Sequence, residues 1–420
     1  MFDQEVRLER LLARHRDVTV VEPLAGRPAL IRRDQILVAG HDVPAAEDLV
    51  RRWYDSRQEE DGVTRLRLRS PAKVDVCELA AQLGGEGRHR RLTVSPNHLV
   101  HGQPLWWSGP ADLPRPAAPL PAPQAADGTA ATDSTAATAG TAGTAGTAGI
   151  ASAQGEAAPP RREVTVAVLD TGLSPHPWYE ETDWYAEQRD EVTEILDSDL
   201  DFELDAQAGH GTFIAGVLLQ HAPAARVRAR RVLGGDGVGD EVDVIRALSW
   251  LASWGRADIV NLSLGCHTFD DRPSPVLSRA IAALGRRTVV VACAGNAASD
   301  RPFWPAAHKS VIAVAALDAD RRDRAWFSNY GWWVDACAPG VDITSSYVRF
   351  DGARPTVNGI DPDAFEGFAR WSGTSFAAPA VAGAIAGLAA TGLSAVEAAD
   401  RVLDPAAAST LPDLGVIIRS

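Results

Sequence analysis

Long apolar runs are missing from this chain of 420 residues. Its first part, 1–16, is crowded with charge and has no apolar stretch of the length found in signal peptides. No run elsewhere approaches the roughly 20 apolar residues that a membrane-spanning helix needs. The sequence therefore predicts a soluble, cytoplasmic protein, and it leaves export by another route open.

Cysteine is scarce as well. The four cysteines are Cys77, Cys266, Cys293 and Cys337. No two of them form a Cys-x-x-Cys pair, so the sequence indicates neither a zinc site nor a redox motif. We expect small, buried, reduced thiols instead.

An excess of positive charge is also absent. The formal net charge is −14, from 41 Lys and Arg against 55 Asp and Glu. Residues 1–110 hold 17 basic and 16 acidic side chains, which leaves 24 basic and 39 acidic ones for residues 111–420. The acidic second part argues against binding to nucleic acid or to an anionic membrane surface.

The chain is long enough for one large core and a second, small domain. Residues 1–102 alternate between amphipathic helical patterns and period-two strand patterns, which predicts a small α+β domain. The expected helices are 3–14, 44–54 and 74–83, and the expected strands are 19–21, 29–38, 63–68 and 92–99.

Residues 103–160 have the composition of a linker. The stretch 110–123 is rich in proline, and 138–149 repeats Thr-Ala-Gly with no large apolar side chain. Such a segment buries too little apolar surface to offset the entropy lost on ordering. We therefore expect a flexible tether that is stiffer at its proline-rich start.

From residue 161 to 420, near-continuous apolar strands alternate with helical patterns. This alternation predicts an α/β domain with a doubly wound, mostly parallel sheet, in which functional residues gather at the carboxyl ends of strands. The expected strands are 164–169, 227–233, 259–264, 288–292 and 311–315, and the expected helices are 211–220, 241–254, 275–284 and 380–390.

Three polar residues fall at such positions. Asp170 follows an apolar strand, His210 begins a helix between two glycines, and Ser375 precedes a helix of small residues. Taken singly, each has an ordinary structural explanation, such as a turn residue or a helix cap. Together they supply an orienting carboxylate, a base and a nucleophile, and a helix start favours the negative charge that develops on the serine.

These segments resemble the subtilisin-like serine proteases, or subtilases. The matching blocks are Val-Ala-Val-Leu-Asp-Thr-Gly around Asp170, Gly-His-Gly-Thr-Phe-Ile-Ala-Gly around His210, and Ser-Gly-Thr-Ser-Phe-Ala-Ala-Pro around Ser375. The likeness spans about residues 163–400, and its three blocks stand in the chain order Asp, His, Ser. Several blocks in one order make the resemblance specific.

The resemblance implies an Asp170–His210–Ser375 catalytic triad. It also implies an oxyanion donor at Asn296, which follows an Ala-Gly pair and is otherwise an ordinary turn residue. Two segments resemble the edge strands that hold extended substrate, and their residues are Gly237, Val238 and Gly239 in one and Ser263, Leu264 and Gly265 in the other.

Some segments depart from the family pattern. The segment 341–371 is longer than the family minimum, which predicts a surface insertion before Ser375. The short segment 296–305 carries Phe303 and Trp304, so the primary specificity pocket cannot be taken over from the family. Structural calcium is common in the family, but no loop here matches a ligand set, so no cofactor or metal is predicted.

We therefore predict a serine endopeptidase that cleaves extended segments of protein or peptide substrates. Residues 1–102 resemble in size and element order the pro-domains of such enzymes, which predicts intramolecular inhibition. Two alternatives are a catalytically inactive, peptide-binding relative, and a protease that its N-terminal domain delivers to one partner. The acidic run 197–205 adds a preference for basic peptides if it is extended with its carboxylates on one face, although a solvated acidic surface or a metal loop explains it too.

Overall fold

The computed structural model of the chain describes residues 4–69, 73–85, 91–102, 113–124, 162–198, 200, 202–351 and 364–419. Most of the predicted linker lies outside these residues. The remaining part, 113–124, contains a short strand that pairs with the second domain, whereas the sequence predicts a flexible tether there. No helix in the described ranges is long and apolar enough to cross a membrane.

The N-terminal residues form an antiparallel sheet in the order β3-β4-β2-β5. Strand β1 pairs with the first residues of β2. The apolar side chains of this domain pack into a separate hydrophobic core between the sheet and the helices. Its elements are α1 (Gln4–Arg14), β1 (Val18–Val21), β2 (Ala29–Val38), α2 (Val43–Val50), β3 (Tyr54–Glu60), β4 (Val63–Leu68), α3 (Val76–Gly84) and β5 (Val94–His101).

The strand β3 was not predicted. Its sequence, Tyr-Asp-Ser-Arg-Gln-Glu-Glu, is polar on both faces and mostly exposed, so it carries no apolar period. It is held as an edge strand by backbone pairing with β4. The helix predicted at 44–54 ends earlier, at Val50, because the chain turns after that residue and continues as β3.

The second domain has the predicted α/β architecture. Its sheet runs in the order β16-β17-β13-β12-β11-β10-β7-β8, and all pairs except β16–β17 are parallel. The elements are β6 (Arg115–Pro116), β7 (Thr165–Asp170), α4 (Asp183–Ala186), α5 (Arg189–Val192), α6 (His210–His221), β8 (Arg226–Arg231), β9 (Val238–Asp240), α7 (Glu241–Trp250), β10 (Ile259–Leu262), α8 (Pro275–Ala283), β11 (Val289–Cys293), β12 (Ile312–Leu317), β13 (Ala336–Pro339), β14 (Ile343–Asp351), β15 (Ala364–Trp371), α9 (Thr374–Ala389), α10 (Ala395–Val402), β16 (Thr410–Leu411) and β17 (Gly415–Ile417).

Small residues let α6 and α9 pack closely beside the sheet. A methyl group at Gly383 of α9 would lie 2.7 Å from the Cβ of His221 and 2.9 Å from the carbonyl oxygen of Leu218, both on α6. A methyl group at Gly216 on α6 would lie 2.1 Å from the hydroxyl of Ser346 in β14. The two helices that begin at His210 and Thr374 are therefore held at backbone contact.

The predicted surface insertion at 341–371 is instead largely internal over its described residues. Strands β14 and β15 pair antiparallel, and β6 from the N-terminal side adds to the edge of β15. Tyr347 and Trp371 of this sheet are buried, and the Trp371 ring lies edge-on to His210 with the centroids 5.3 Å apart. The insertion therefore forms one wall around the predicted catalytic residues.

Candidate active site

Asp170 and His210 meet at the carboxyl edge of the parallel sheet. Asp170 is the last residue of β7 and His210 is the first of α6. The Nδ1 atom of His210 lies 2.7 Å from Oδ1 of Asp170, and both residues are 1% exposed. Because the carboxylate accepts from Nδ1–H, the imidazole presents Nε2 as its proton acceptor.

The glycines on both sides of His210 make this contact possible. Gly209 has φ of 81°, and a methyl group there would lie 2.5 Å from the Tyr347 ring. A methyl group at Gly211 would lie 2.2 Å from the carbonyl oxygen of Gly172. Only a residue without Cβ lets the first turn of α6 approach the turn that follows Asp170.

Glu194, for which no role was predicted, links the turn after Asp170 to the first turn of α6. Its carboxyl group is buried and accepts from the hydroxyl groups of Thr171, Ser174 and Thr212. Thr171 Oγ1 in turn accepts from the backbone N–H of Gly211 at 2.9 Å. Burial raises the pKa of Glu194, and the nearby Asp170 charge raises it further, against the opposing effect of the three hydroxyl donors.

Ser375 lies in the first turn of α9, with its neighbour Phe376 packed against His210 at a ring distance of 5.5 Å. Among the described residues, its hydroxyl is directed to the carbonyl oxygens of Ser263 (3.3 Å) and Gly102 (3.5 Å) and to Sγ of Cys293 (4.0 Å). The structure thus brings Asp170 and His210 together, whereas the Ser375 hydroxyl is turned toward other acceptors. Burial raises the pKa of Cys293 to about 12, which keeps this adjacent thiol neutral.

Pro379 explains how Ser375 is fixed. A proline inside α9 has no N–H for the carbonyl group four residues earlier, which is that of Ser375. The hydroxyl of Ser263 donates to this carbonyl oxygen at 2.7 Å instead. The bond joins the start of α9 to one of the two predicted substrate-binding segments.

Asn296 is oriented by the residue before Ser375. Its Oδ1 accepts from the backbone N–H of Thr374 at 2.8 Å and from the Thr374 hydroxyl at 2.9 Å. A backbone N–H can only donate, so the accepting atom is the oxygen and Nδ2 is left as the donor. An amide donor beside the first turn of a helix suits a developing oxyanion.

The cleft beside Ser375 holds the last strand of the N-terminal domain. Strand β5 pairs antiparallel with β9, and on its other side His101 exchanges backbone hydrogen bonds of 2.9 and 3.1 Å with Gly265. The N–H of Gly102 donates to the carbonyl oxygen of Gly237 at 3.1 Å. The two segments predicted to hold substrate therefore flank the protein's own strand, and contacts of this kind involve Gly237, Val238, Gly239 and Gly265.

The other two predicted substrate-binding residues, Ser263 and Leu264, contact Ser375 and the main core. Ser263 contacts Ser375 through both its hydroxyl and its carbonyl groups, and Leu264 is buried in the main core. Gly102 lies over the imidazole, since a methyl group there would be 3.3 Å from Cε1 of His210 and 2.9 Å from Oε1 of Gln207.

Acidic side chains around β9 pair with basic side chains of the N-terminal domain. Arg32 Nε lies 2.8 Å from Oδ1 of Asp240, and His15 Nε2 lies 2.8 Å from Oδ2 of Asp236. Deeper in the interface, His98 Nδ1 lies 2.7 Å from Oε2 of Glu241, with both side chains 1% exposed. These contacts add charge complementarity to the backbone pairing of β5.

The preference for basic peptides was predicted on the condition that 197–205 is extended, and its described residues do not meet this condition. Leu200 and Phe202 have φ of 61° and 68°, and the N–H of Phe202 donates to Oδ2 of Asp197, so the chain is not extended at these residues. Of its acids, Asp205 is buried and faces Arg14 at 3.5 Å. Residues 199 and 201 lie outside the described residues. No group of three or more His, Cys, Asp or Glu in the described ranges is placed to hold a metal ion.

In a comparison with known proteins, residues 161–407 match the family described as "Subtilase family". The thermophilic serine proteinase of Bacillus sp. (strain AK1) is 39% identical over 216 residues, 49% of this chain and 48% of that protein. Subtilisin BL of Lederbergia lenta is 35% identical over 235 residues, 53% of this chain and 75% of that protein. The chain thus spans about half the length of the first relative.

A solved structure described as that of a cold adapted subtilisin-like serine proteinase is 27% identical, with a TM-score of 0.44. The match covers 61% of this chain and 88% of that one.

The raised pKa of Glu194 gives a testable pH dependence of stability. The folded protein binds the Glu194 proton more tightly than the unfolded chain does, so this contribution is complete below the ordinary pKa of 4.5. It is lost as the pH rises through the higher pKa of the folded state. We expect the free energy of unfolding of the parent chain, relative to Glu194→Gln, to fall as the pH rises from 4.5.

Denaturant unfolding at several pH values measures this difference, with Ser375→Ala in every chain to prevent self-digestion. Glu366→Gln at an exposed position is the matched control. A parent-minus-variant difference that does not change with pH would show that the Glu194 carboxyl has the same pKa folded and unfolded.

Proposed function

The chain belongs to the subtilase family, and from that premise we propose that it is a serine endopeptidase whose N-terminal domain occupies its own substrate cleft. The observation that carries the proposal is the course of β5, which runs between β9 and Gly265 and ends at His210 and Ser375. Proteins and peptides bound as extended strands are the proposed substrates. Backbone pairing of this kind is largely independent of side chains, which suits a protease acting on unfolded segments.

In the proposed reaction, the Ser375 hydroxyl rotates toward His210 and attacks the carbonyl carbon of the substrate. Nε2 of His210 takes the hydroxyl proton, and Asp170 stabilises the imidazolium that forms. The carbonyl oxygen becomes an oxyanion that accepts from Nδ2 of Asn296. The imidazolium then protonates the leaving amine, and a water molecule repeats the sequence to release the acyl group from Ser375.

The N-terminal domain inhibits this reaction by holding the cleft in a substrate-like state. Gly102 covers the imidazole, and the Ser375 hydroxyl points to the carbonyl groups of Ser263 and Gly102. A bound substrate needs the hydrogen bonds that His101 makes with Gly265. The enzyme is therefore active only when β5 leaves the cleft.

Two alternatives are less well supported. An inactive peptide-binding relative has no need for a buried 2.7 Å contact between Asp170 and His210. A domain that only delivers the protease to a partner has no need to run through the cleft. The occupied cleft therefore favours inhibition by the N-terminal domain.

Ser375 and Asn296 have distinct expected phenotypes. A fluorophosphonate should label the enzyme at Ser375, and Ser375→Ala should abolish both labelling and peptide hydrolysis. Asn296→Ala should keep the labelling site but lower kcat by roughly 10²–10³, the range known for loss of one oxyanion donor in this family. Exposed Ser310→Ala is the control. Hydrolysis that persists in pure Ser375→Ala protein would reject the assignment.

Inhibition by β5 predicts that its disruption activates the full chain. In Gly102→Val the added methyl groups meet Gln207, His210 and Leu233, and overpacking of this kind costs about 1–3 kcal/mol. Peptide hydrolysis by the full chain should rise roughly 5- to 150-fold. Gly40→Val is the matched control, because no atom lies within 4 Å of a methyl group at Gly40.

Arg32→Ala tests inhibition by the N-terminal domain through the loss of one ion pair between the two domains. Arg32 pairs with Asp240 across the interface at 13% side-chain exposure, whereas Arg51, the control, is 80% exposed and pairs within its own domain. Arg32→Ala should activate the full chain and Arg51→Ala should not. If neither Gly102→Val nor Arg32→Ala raises the rate, the N-terminal domain does not inhibit through the cleft.

A further inference from the structure

One aromatic side chain fills the space between two walls of the cleft. Trp304 and Cys266 exchange backbone hydrogen bonds of 2.8 and 2.7 Å, which fixes the segment 302–304 alongside Gly265. The ring of the preceding residue, Phe303, is 4% exposed. It is thus a buried part of the cleft and not a mobile surface group.

Two glycines mark the walls of this space. A methyl group at Gly265 would lie 2.4 Å from Cε1 of Phe303, and a methyl group at Gly295 would lie 3.0 Å from its Cδ1. Gly265 binds the backbone of the strand in the cleft, and Gly295 precedes the oxyanion candidate Asn296. Between these walls there is a slot about one aromatic ring thick, and Phe303 occupies it.

The slot faces the side chains of a bound strand. The ring of His101 lies edge-on to Phe303, with the centroids 5.7 Å apart. Side chains alternate along an extended strand, so residues two apart point to the same side. A substrate bound like β5 would have one residue over His210 at the place of Gly102, and the next residue would again face Phe303. In this structure the Ser375 hydroxyl contacts the carbonyl oxygen at the Gly102 position, 3.5 Å away. In the proposed reaction it turns toward His210 and attacks the carbonyl carbon of the next residue.

Neighbouring groups hold Phe303 in place. His267 packs edge-on to its ring at 5.3 Å. Arg301 is buried and donates to Asp271 at 2.6 Å and to the carbonyl oxygen of Thr268 at 2.9 Å. His267, Thr268 and Asp271 belong to the protease domain, whereas Arg301 also donates to the carbonyl oxygen of Pro28 in the N-terminal domain at 2.7 Å.

We propose that Phe303 closes the primary specificity slot and restricts the enzyme to substrates with Gly, Ala or Ser on the acyl side of the cut bond. This inference rests on the proposed endopeptidase function. Larger side chains at that position meet the Phe303 ring, which cannot retreat past Gly265 and Gly295. Replacing Phe303 by glycine opens a slot of the right thickness for an aromatic or leucine side chain.

The test compares peptides that differ only at the residue before the cut, Ala or Ser against Phe or Leu. With the full chain, kcat/KM should be roughly tenfold to a hundredfold higher for Ala and Ser. In Phe303→Gly the preference should move toward Phe and Leu by a similar factor, and Phe303→Ala should lie between. Phe202→Ala, at a 67% exposed phenylalanine, is the matched control and should keep the parent preference.

The outcomes are distinguishable. A parent chain that cuts after Phe or Leu as readily as after Ala overturns the proposal, and so does a Phe303→Gly variant that slows all peptides equally. A variant that retains the parent rate on Ala peptides and gains Phe peptides supports it and shows that it is folded. No hydrolysis by any chain, including one that carries Gly102→Val to free the cleft, together with no fluorophosphonate labelling of Ser375, would instead reject the proposed function itself.

Discussion

The hydrogen bond from the Ser263 hydroxyl to the Ser375 carbonyl oxygen connects the two parts of the site that must act together. Pro379 removes the helical donor for that carbonyl, so the bond is required to satisfy a buried acceptor. Ser263 lies one residue beyond β10, in the segment that lines the cleft. In the proposed mechanism, the nucleophile is therefore held by the same segment that pairs with the substrate backbone.

In the proposed inhibition, the N-terminal domain offers the cleft a strand that pairs as the backbone of a substrate would. Strand β5 belongs to an antiparallel sheet on one side and completes the edge at β9 on the other. A free peptide loses conformational entropy when it becomes a strand, whereas β5 is already ordered by β2. The cleft-binding strand is thus preorganised by its own domain.

Much of the fold and the site was predictable because local signals are strong where burial is complete. The apolar runs of β7, β10, β11 and β12 and the three motif blocks marked the sheet and its edge. Glu194 gave no signal, because its partners come from separate segments that only the fold brings together. The acidic segment 197–205 also gave no local signal of its conformation. The Asp197 side chain accepts from the backbone N–H of Phe202, which ends the extended conformation. The Ser375 hydroxyl also contacts the carbonyl oxygen of Gly102, which belongs to the N-terminal domain and lies far from the motif blocks in sequence.

The covalent connection between β5 and the protease has a consequence for concentration. An occupant that is part of the same chain returns to the cleft at a rate that does not depend on how dilute the protein is. A cut anywhere between Gly102 and Arg162 makes the same association bimolecular, so that the released domain is lost by dilution. Under the proposed inhibition, the amount of active enzyme then follows the number of such cuts and the volume into which the released domain escapes.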